Sequence, residues 1–340
     1  MKCKNKMGTQ TVNISNSVKI ISSATVAGTK EQQGKLKGNF DILMDDGYFG
    51  EKTWEKAESK MQREAAKCAV QKAGLSLTDI DIAFSGDLLN QCTGTGYGMR
   101  ELQVPFYGLF GACSTMALSM SLGAMIIDGG FAKYTLCGTS SHFCSSEKQF
   151  RMPLAYGGQR PPTAQRTVTG SGMVVLSDDG NGPEVTQITT GKIIDKGIKD
   201  PANMGAAMAP AAFDTLKTHF KDTNKKPQDY DLIVTGDLGE LGYEIVCDYM
   251  EKEGYDISNY NDCGRMIFEE SQDTHAGGSG CGCSALVLCA SLLKKLKKGE
   301  LNKILFVGTG ALMSPLSTQQ GESIPSIAHA VVISNKEVTK

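Results

Sequence analysis

No apolar run in this sequence approaches the roughly 20 residues needed to cross a bilayer, so any membrane association is expected to be peripheral. Charge of one sign is not in excess either. The 35 lysines and arginines face 37 aspartates and glutamates, a formal net charge of −2, and without a basic field nothing argues for nucleic acid as a partner. The opening residues, MKCKNKMGTQTVN, are too polar for a secretory signal. Cys281 and Cys283 form a Cys-x-Cys, but no second ligand pair follows at zinc spacing, so packing is expected there and no metal site. The eleven cysteines are odd in number and scattered through apolar segments, unlike the framework of a small secreted protein. Free thiols in a reducing, intracellular compartment are expected.

What is present is an ordinary globular composition, 40% hydrophobic and 21% charged over 340 residues, enough for one large core or two smaller ones. The stretch that organises the chain runs from Phe106 to Gly130, FYGLFGACSTMALSMSLGAMIIDGG. A short apolar run ends in Gly-Ala, and after Cys113 a helical pattern follows with no charge before Asp128. A helix that apolar all round is buried. Cys113 would then stand where unpaired backbone N–H groups and the helix dipole favour a thiolate. A plain core cysteine is the competing reading.

Around this stretch, strands alternate with helices, which argues for α/β layers with largely parallel sheets. Ser17 to Gly28 and Ile80 to Phe84 read as strands, and Glu51 to Ala73 as a helix capped by Gly74. The glycine-rich QCTGTGYGMRELQ reads as a crossing segment. Its GTGYG lacks the surrounding βαβ unit and acidic residue of a dinucleotide site. In the second half, Met204 to Phe220 is helical with Pro210 as a kink or as its true start. Lys303 to Val307 and Ile327 to Ser334 read as strands. The order repeats: over ten residues from Asp79 and from Asp229 five are identical, including Gly86/Gly236 and Asp87/Asp237. Cys113 pairs with Cys283 at an offset of 170, which also pairs Gly129 with Gly299, Lys133 with Lys303 and Gly138-Thr139 with Gly308-Thr309. One offset kept across a helix and its following strand indicates a duplication. The halves are expected at residues 15–180 and 181–337.

Two duplicated α/β halves with a cysteine at the head of the first buried helix resemble the thiolase and ketoacyl-synthase superfamily. The strings GDLLNQ, FGACST, DGGFA, SSH, QRPPTAQ, IKDP, MGAAMAPAA, SQDTHAGGSGC and QQGESIP are similar to the stage V sporulation protein AD family of spore-forming bacteria. The resemblance implies a thiolase-like fold of two duplicated α/β halves in layered α-β-α-β-α order, without known condensing activity. It implies binding of dipicolinic acid (pyridine-2,6-dicarboxylate), free or with calcium, during uptake into the developing spore. The implied partners are the other stage V sporulation A channel proteins, at the spore inner membrane of the forespore. The superfamily's habit of pairing through the strand after the nucleophile helix suggests a homodimer.

Condensation needs a cysteine nucleophile and two side chains that polarise the thioester and stabilise the oxyanion. The resemblance puts Cys113 at the nucleophile position and His275 at the second half's histidine or asparagine. The other donor should come from the loop after Asp231 to Thr235, where this chain reads TGDLGEL, with neither histidine nor asparagine. Asp237 would be an anion where negative charge must develop, so loss of acyl transfer is expected. An active acyltransferase and a bare scaffold of the channel complex are the competing classes. For a small dianion, the start of the Cys113 helix with Ser114, and Gly277 and Gly278 beside His275, would supply N–H donors. Arg151, Arg160 and Arg166 would offer counter-charge, or else line a subunit interface. Asp87 and Asp237 would hold a carried calcium, or else cap the helices that follow them. Asn90 and His142 complete the candidate site, His142 because it ends a strand at the cleft. His219, on a polar helix end, and His329, within an apolar strand, read as structural. KKLKKGELNK reads as a solvated helix end that could touch anionic lipid.

Overall fold

The computed structural model describes residues 4–150 and 160–335. Arg151 lies outside the described residues.

Ten strands form the body of one large mixed sheet. In the first half they are β1 (Thr11–Ala27), β2 (Ile82–Gly86), β3 (Phe106–Gly108), β4 (Tyr134–Ser141) and β5 (Gly170–Ser177). In the second they are β6 (Glu184–Thr189), β7 (Leu232–Thr235), β8 (Tyr260–Asp262), β9 (Lys303–Ala311) and β10 (Ser326–Ser334). Their order is β8-β7-β9-β10-β6-β1-β5-β4-β2-β3. Outward from the central β1–β6 pair the sense is the same on both sides. β1–β5 and β5–β4 are antiparallel and β4–β2 and β2–β3 parallel; β6–β10 and β10–β9 are antiparallel and β9–β7 and β7–β8 parallel. The repeated Gly-Asp-Leu ends β2 and β7, and the repeated Gly-Thr lies inside β4 and β9. One sequence unit, used twice, therefore gives the same strand order twice. β1 and β6 pair directly, antiparallel, and join the halves into one sheet, so the expectation of largely parallel sheets is corrected: the central pairings are antiparallel and only the outer ones parallel.

Helices make the other layers. α1 (Trp54–Lys72) and α2 (Thr93–Arg100) pack together, with α1 on the outer face of the first half. α5 (Met204–Thr223), running through Pro210, and α6 (Gly239–Lys252) do the same for the second half. Between the halves lies α3 (Thr115–Asp128), which touches β1, β2, β4, β9 and β10. Beside it, packed on the short α7 (Cys263–Ile267), runs α8 (Cys281–Val287), continued by a π-helical turn (Leu288–Leu292) into α9 (Leu293–Lys298). The layers thus follow the α-β-α-β-α order. Met116 and Met120 of α3, Leu286 and Leu288 of the companion helix, Ile20 and Leu176 of the first half and Phe306 and Val331 of the second share one core. The inner helices must be apolar on every side because sheet lies both above and below them.

Two sequence readings change here. QCTGTGYGMRELQ is largely the helix α2. A Cβ at Gly98 would stand 2.7 Å from the Ser59 carbonyl oxygen, so this glycine serves close helix–helix packing and not loop flexibility. His219 is fully buried, not on a polar helix end. Its Nδ1 bonds Thr189 Oγ1 at 2.7 Å and its Nε2 bonds Tyr230 Oη at 2.6 Å. Burial lowers its pKa to about 3.

Candidate functional site

β3 and the turn after it carry the chain to the midline, where Ala112 takes a left-handed φ of 47° and Ser114 caps α3. The Ser114 hydroxyl closes this turn on the Gly111 carbonyl at 2.6 Å. β9 of the opposite half presses against the same turn. A Cβ on Gly310 would collide with the Gly111 carbonyl oxygen, so a glycine is needed for the two halves to meet here. Cys113 is held in that junction, 5% exposed.

Its environment is not the one expected from a helix start. Cys113 precedes the helix instead of opening it. Burial, and then the neighbouring Asp237 carboxylate, raise its pKa well above that of an ordinary thiol. Desolvation disfavours a charged sulfur, and a nearby anion adds to the penalty. Asp237, which neighbours the thiol, accepts from Gly280 N (2.8 Å), Thr309 Oγ1 (2.7 Å) and Ser279 Oγ (3.1 Å). Cys113 is therefore held as a neutral thiol, and the thiolate reading is corrected. Cys283, its partner by offset, lies inside the first turn of α8.

A cavity of about 40 Å³ opens on Cys113, walled by Leu88, Phe110, Ala112, Phe150, Met204, Ala311 and Met313. Its polar groups are Cys113, Ser146, Glu147, Thr167 and Ser279. Glu147 is buried and accepts from Thr167 Oγ1 at 3.1 Å. Ser146 is 1% exposed, and its hydroxyl oxygen is buried without a hydrogen-bond partner. A buried polar atom left unpaired costs about 1–3 kcal/mol, so it needs an explanation. Ser146, Glu147 and Phe150 lie on α4 (Phe143–Phe150). Sequence reasoning stopped at His142 and missed them; the only signal was that α4 follows directly on β4, the strand aimed at the cleft.

The other candidates fall elsewhere. His275, at a left-handed φ of 52°, lines a different, polar pocket of about 270 Å³ with Lys35, Glu240, Asn261, Arg265 and Glu269. Gly277 also lines that pocket, and its N–H is spent on the Thr274 carbonyl. Gly278 pairs with Arg166 in a short parallel ladder and accepts from Gln165 Nε2. The grouping of Cys113 with His275 is thus corrected, because the loop after His275 turns inward only at Ser279 and Gly280. Asp87 is fully buried and wrapped by Leu89 N (2.7 Å), Thr95 N (2.6 Å) and Thr95 Oγ1 (2.6 Å). It anchors the start of α2, while Asp237 is consumed by its three donors. Neither is laid out to receive calcium, and among the described residues no three His, Cys, Asp or Glu side chains converge as metal ligands. Asn90 is exposed, its N–H on Gln149 Oε1. His142 bonds the Gly47 carbonyl at 2.7 Å and points away from the cavity. Arg160 donates to the Gln165 carbonyl and lies 3.9 Å from Glu147; Arg166 stacks 3.8 Å from the Phe143 ring.

The fold is shared with condensing enzymes. The structure resembles 3-oxoacyl-[acyl-carrier-protein] synthase III from Aquifex aeolicus VF5 (TM-score 0.57, 13% identity, 94% of this chain and 100% of the other). It also resembles human mitochondrial 3-ketoacyl-CoA thiolase (TM-score 0.58, 13% identity, 95% and 99%). At such identities the likeness is one of fold. In sequence, the chain is 47% identical to stage V sporulation protein AD of Bacillus subtilis (strain 168) over 326 residues, 96% of each. The profile of the stage V sporulation protein AD family matches residues 8–334. A thiolase-like fold whose central cysteine is buried beside an aspartate is thus found in a chain that belongs to the stage V sporulation protein AD family.

Proposed function

We propose that this protein is a non-catalytic member of the thiolase fold that binds dipicolinate, free or as its calcium chelate, at the Cys113 cavity for uptake into the developing spore. It would act beside the other stage V sporulation A channel proteins, at the spore inner membrane. The observation that carries the reading is the cavity's chemistry. Its nucleophile position holds a protonated thiol beside a buried carboxylate, and among the described residues that line it the one unmatched side-chain oxygen or nitrogen is the Ser146 hydroxyl. An oxyanion developing beside Asp237 would be repelled where acyl transfer needs donors, and losing a single such donor costs ~10²–10³ in rate. A flat aromatic acid suits the cavity better: its ring meets Phe110, Phe150 and the methionines, and a carboxylate takes the Ser146 O–H. Glu147 in the wall opposes a bare dianion and favours a ligand that brings a cation, or one that presents its ring.

At about 40 Å³ the cavity is below the roughly 300 Å³ at which small-molecule sites begin, so binding must widen it or seat the ligand at its mouth beside the half-exposed Phe110. Calorimetry with dipicolinate, with and without calcium, tests the reading; binding without turnover of acyl thioesters is expected. The homodimer is kept as part of this proposal, but by another route. β4, the strand after α3, is flanked by β2 and β5 and has no free edge, whereas β3 ends the sheet and exposes Tyr107. A Tyr107→Pro change should shift a dimer to monomer in analytical ultracentrifugation; an unchanged mass would exclude that edge.

A further inference from the structure

On the face where α9 ends, lysines gather far in excess of their partners. Lys295, Lys297 and Lys298 are exposed on the last turn of α9. Lys294 reaches out to the Asn39 carbonyl at 2.6 Å, and Lys72 of α1 bridges to Asp41 at 2.8 Å. These two contacts bring the segment from Lys37 to Leu43 to the same face. Six lysines there meet two paired carboxylates, Asp41 and Glu300, the latter 3.8 Å from Lys298. Beside them Leu43 is 51% exposed, two residues past Asp41.

We propose that this lysine face, with Leu43 as its apolar point, docks the protein directly on a bilayer of anionic phospholipid. A helix C-terminus favours some positive charge, but its dipole accounts for only the last turn, not for Lys37 and Lys72. The six cations are all lysines, flexible point charges suited to a diffuse layer of headgroups; arginine is the residue of planar, bidentate phosphate recognition in nucleic acids. Asp45 and Asp46 follow Leu43, so the contact is shallow, one side chain inserting next to a charged ring. A polybasic patch combined with one apolar insertion gives reversible anchoring. The chain as a whole carries −2, so the attraction is local and orients the molecule. The inference does not depend on what the Cys113 cavity holds.

The test is co-sedimentation of the full chain, without ligand, with vesicles of phosphatidylcholine alone or containing phosphatidylglycerol. Wild type should bind only the anionic vesicles, and less as salt rises. The K295E/K297E/K298E variant should bind on the order of 100-fold more weakly, at about 1 kcal/mol per lysine, with an unchanged melting temperature. Leu43→Ser should weaken binding several-fold while leaving its salt dependence intact. Wild type that ignores anionic vesicles at low salt overturns the proposal, including when the same lysines capture poly-glutamate. So does a folded triple variant that binds anionic vesicles like wild type.

Discussion

Asp237 decides what Cys113 can do. Burial does most to keep the thiol protonated, and the neighbouring carboxylate adds to that effect. Replacing Asp237→Asn removes the charge and keeps the shape. Alkylation of Cys113 by iodoacetamide should then become faster at fixed pH, because the thiol pKa falls when the neighbouring anion is gone; an unchanged pH–rate profile would separate the two side chains. His219 gives a second measurement. Its folded pKa, about 3, lies below the ordinary 6.5, so the unfolded chain binds its proton first. Its contribution is complete above pH 6.5 and lost as pH falls towards 3, on the order of 5 kcal/mol in all. Glu31 and Asp262, raised to about 7 by burial, work in the opposite sense, favouring the native state below about pH 4 and losing that advantage as pH rises to 7. The expected result is that His219→Ala costs several kcal/mol at pH 8, and less relative to wild type at pH 4, in urea unfolding followed at both values. A constant difference would mean that the histidine titrates normally.

At the scale of elements, repeats and apolar patterns were legible because they obey local rules. The buried α3, the strands that end in Gly-Asp-Leu and the glycine-capped α1 all follow from spacing alone. α2 was misread because its glycines look like a loop when their cause, the backbone of α1, lies on another element. His219 was misplaced for the same reason: Thr189 and Tyr230, which satisfy its ring, are distant in sequence. The site was half legible. The family pattern led to Cys113 and Asp237, but neither Ser146 nor Glu147 carries a spacing signal, and His275 was drawn in by analogy although its loop points it elsewhere. Gly310 shows how much one element depends on its opposite number. Gly310→Ala should push β9 off the Cys113 turn and lower stability by about 1–3 kcal/mol. Wild-type stability with unchanged Cys113 labelling would show that the turn yields freely.

For the whole molecule, the duplication places two half-sheets around one inner layer, and the site lies where the start of one inner helix meets the opposite half. Enzymes share this fold, so fold cannot separate catalysis from binding. The chemistry of the junction can. If this protein holds dipicolinate at a protonated thiol, affinity must depend on the cavity's own wall and not on the pocket of His275. The most direct measurement is isothermal titration of dipicolinate, with and without calcium, into wild type, Ser146→Ala, Ala311→Leu and His275→Ala, each confirmed to be folded. The account predicts roughly five- to twenty-fold weaker binding for Ser146→Ala, near-complete loss when Ala311→Leu fills the cavity, and wild-type affinity for His275→Ala. Full affinity in the first two variants with loss in the third would contradict it and move the ligand to the polar pocket.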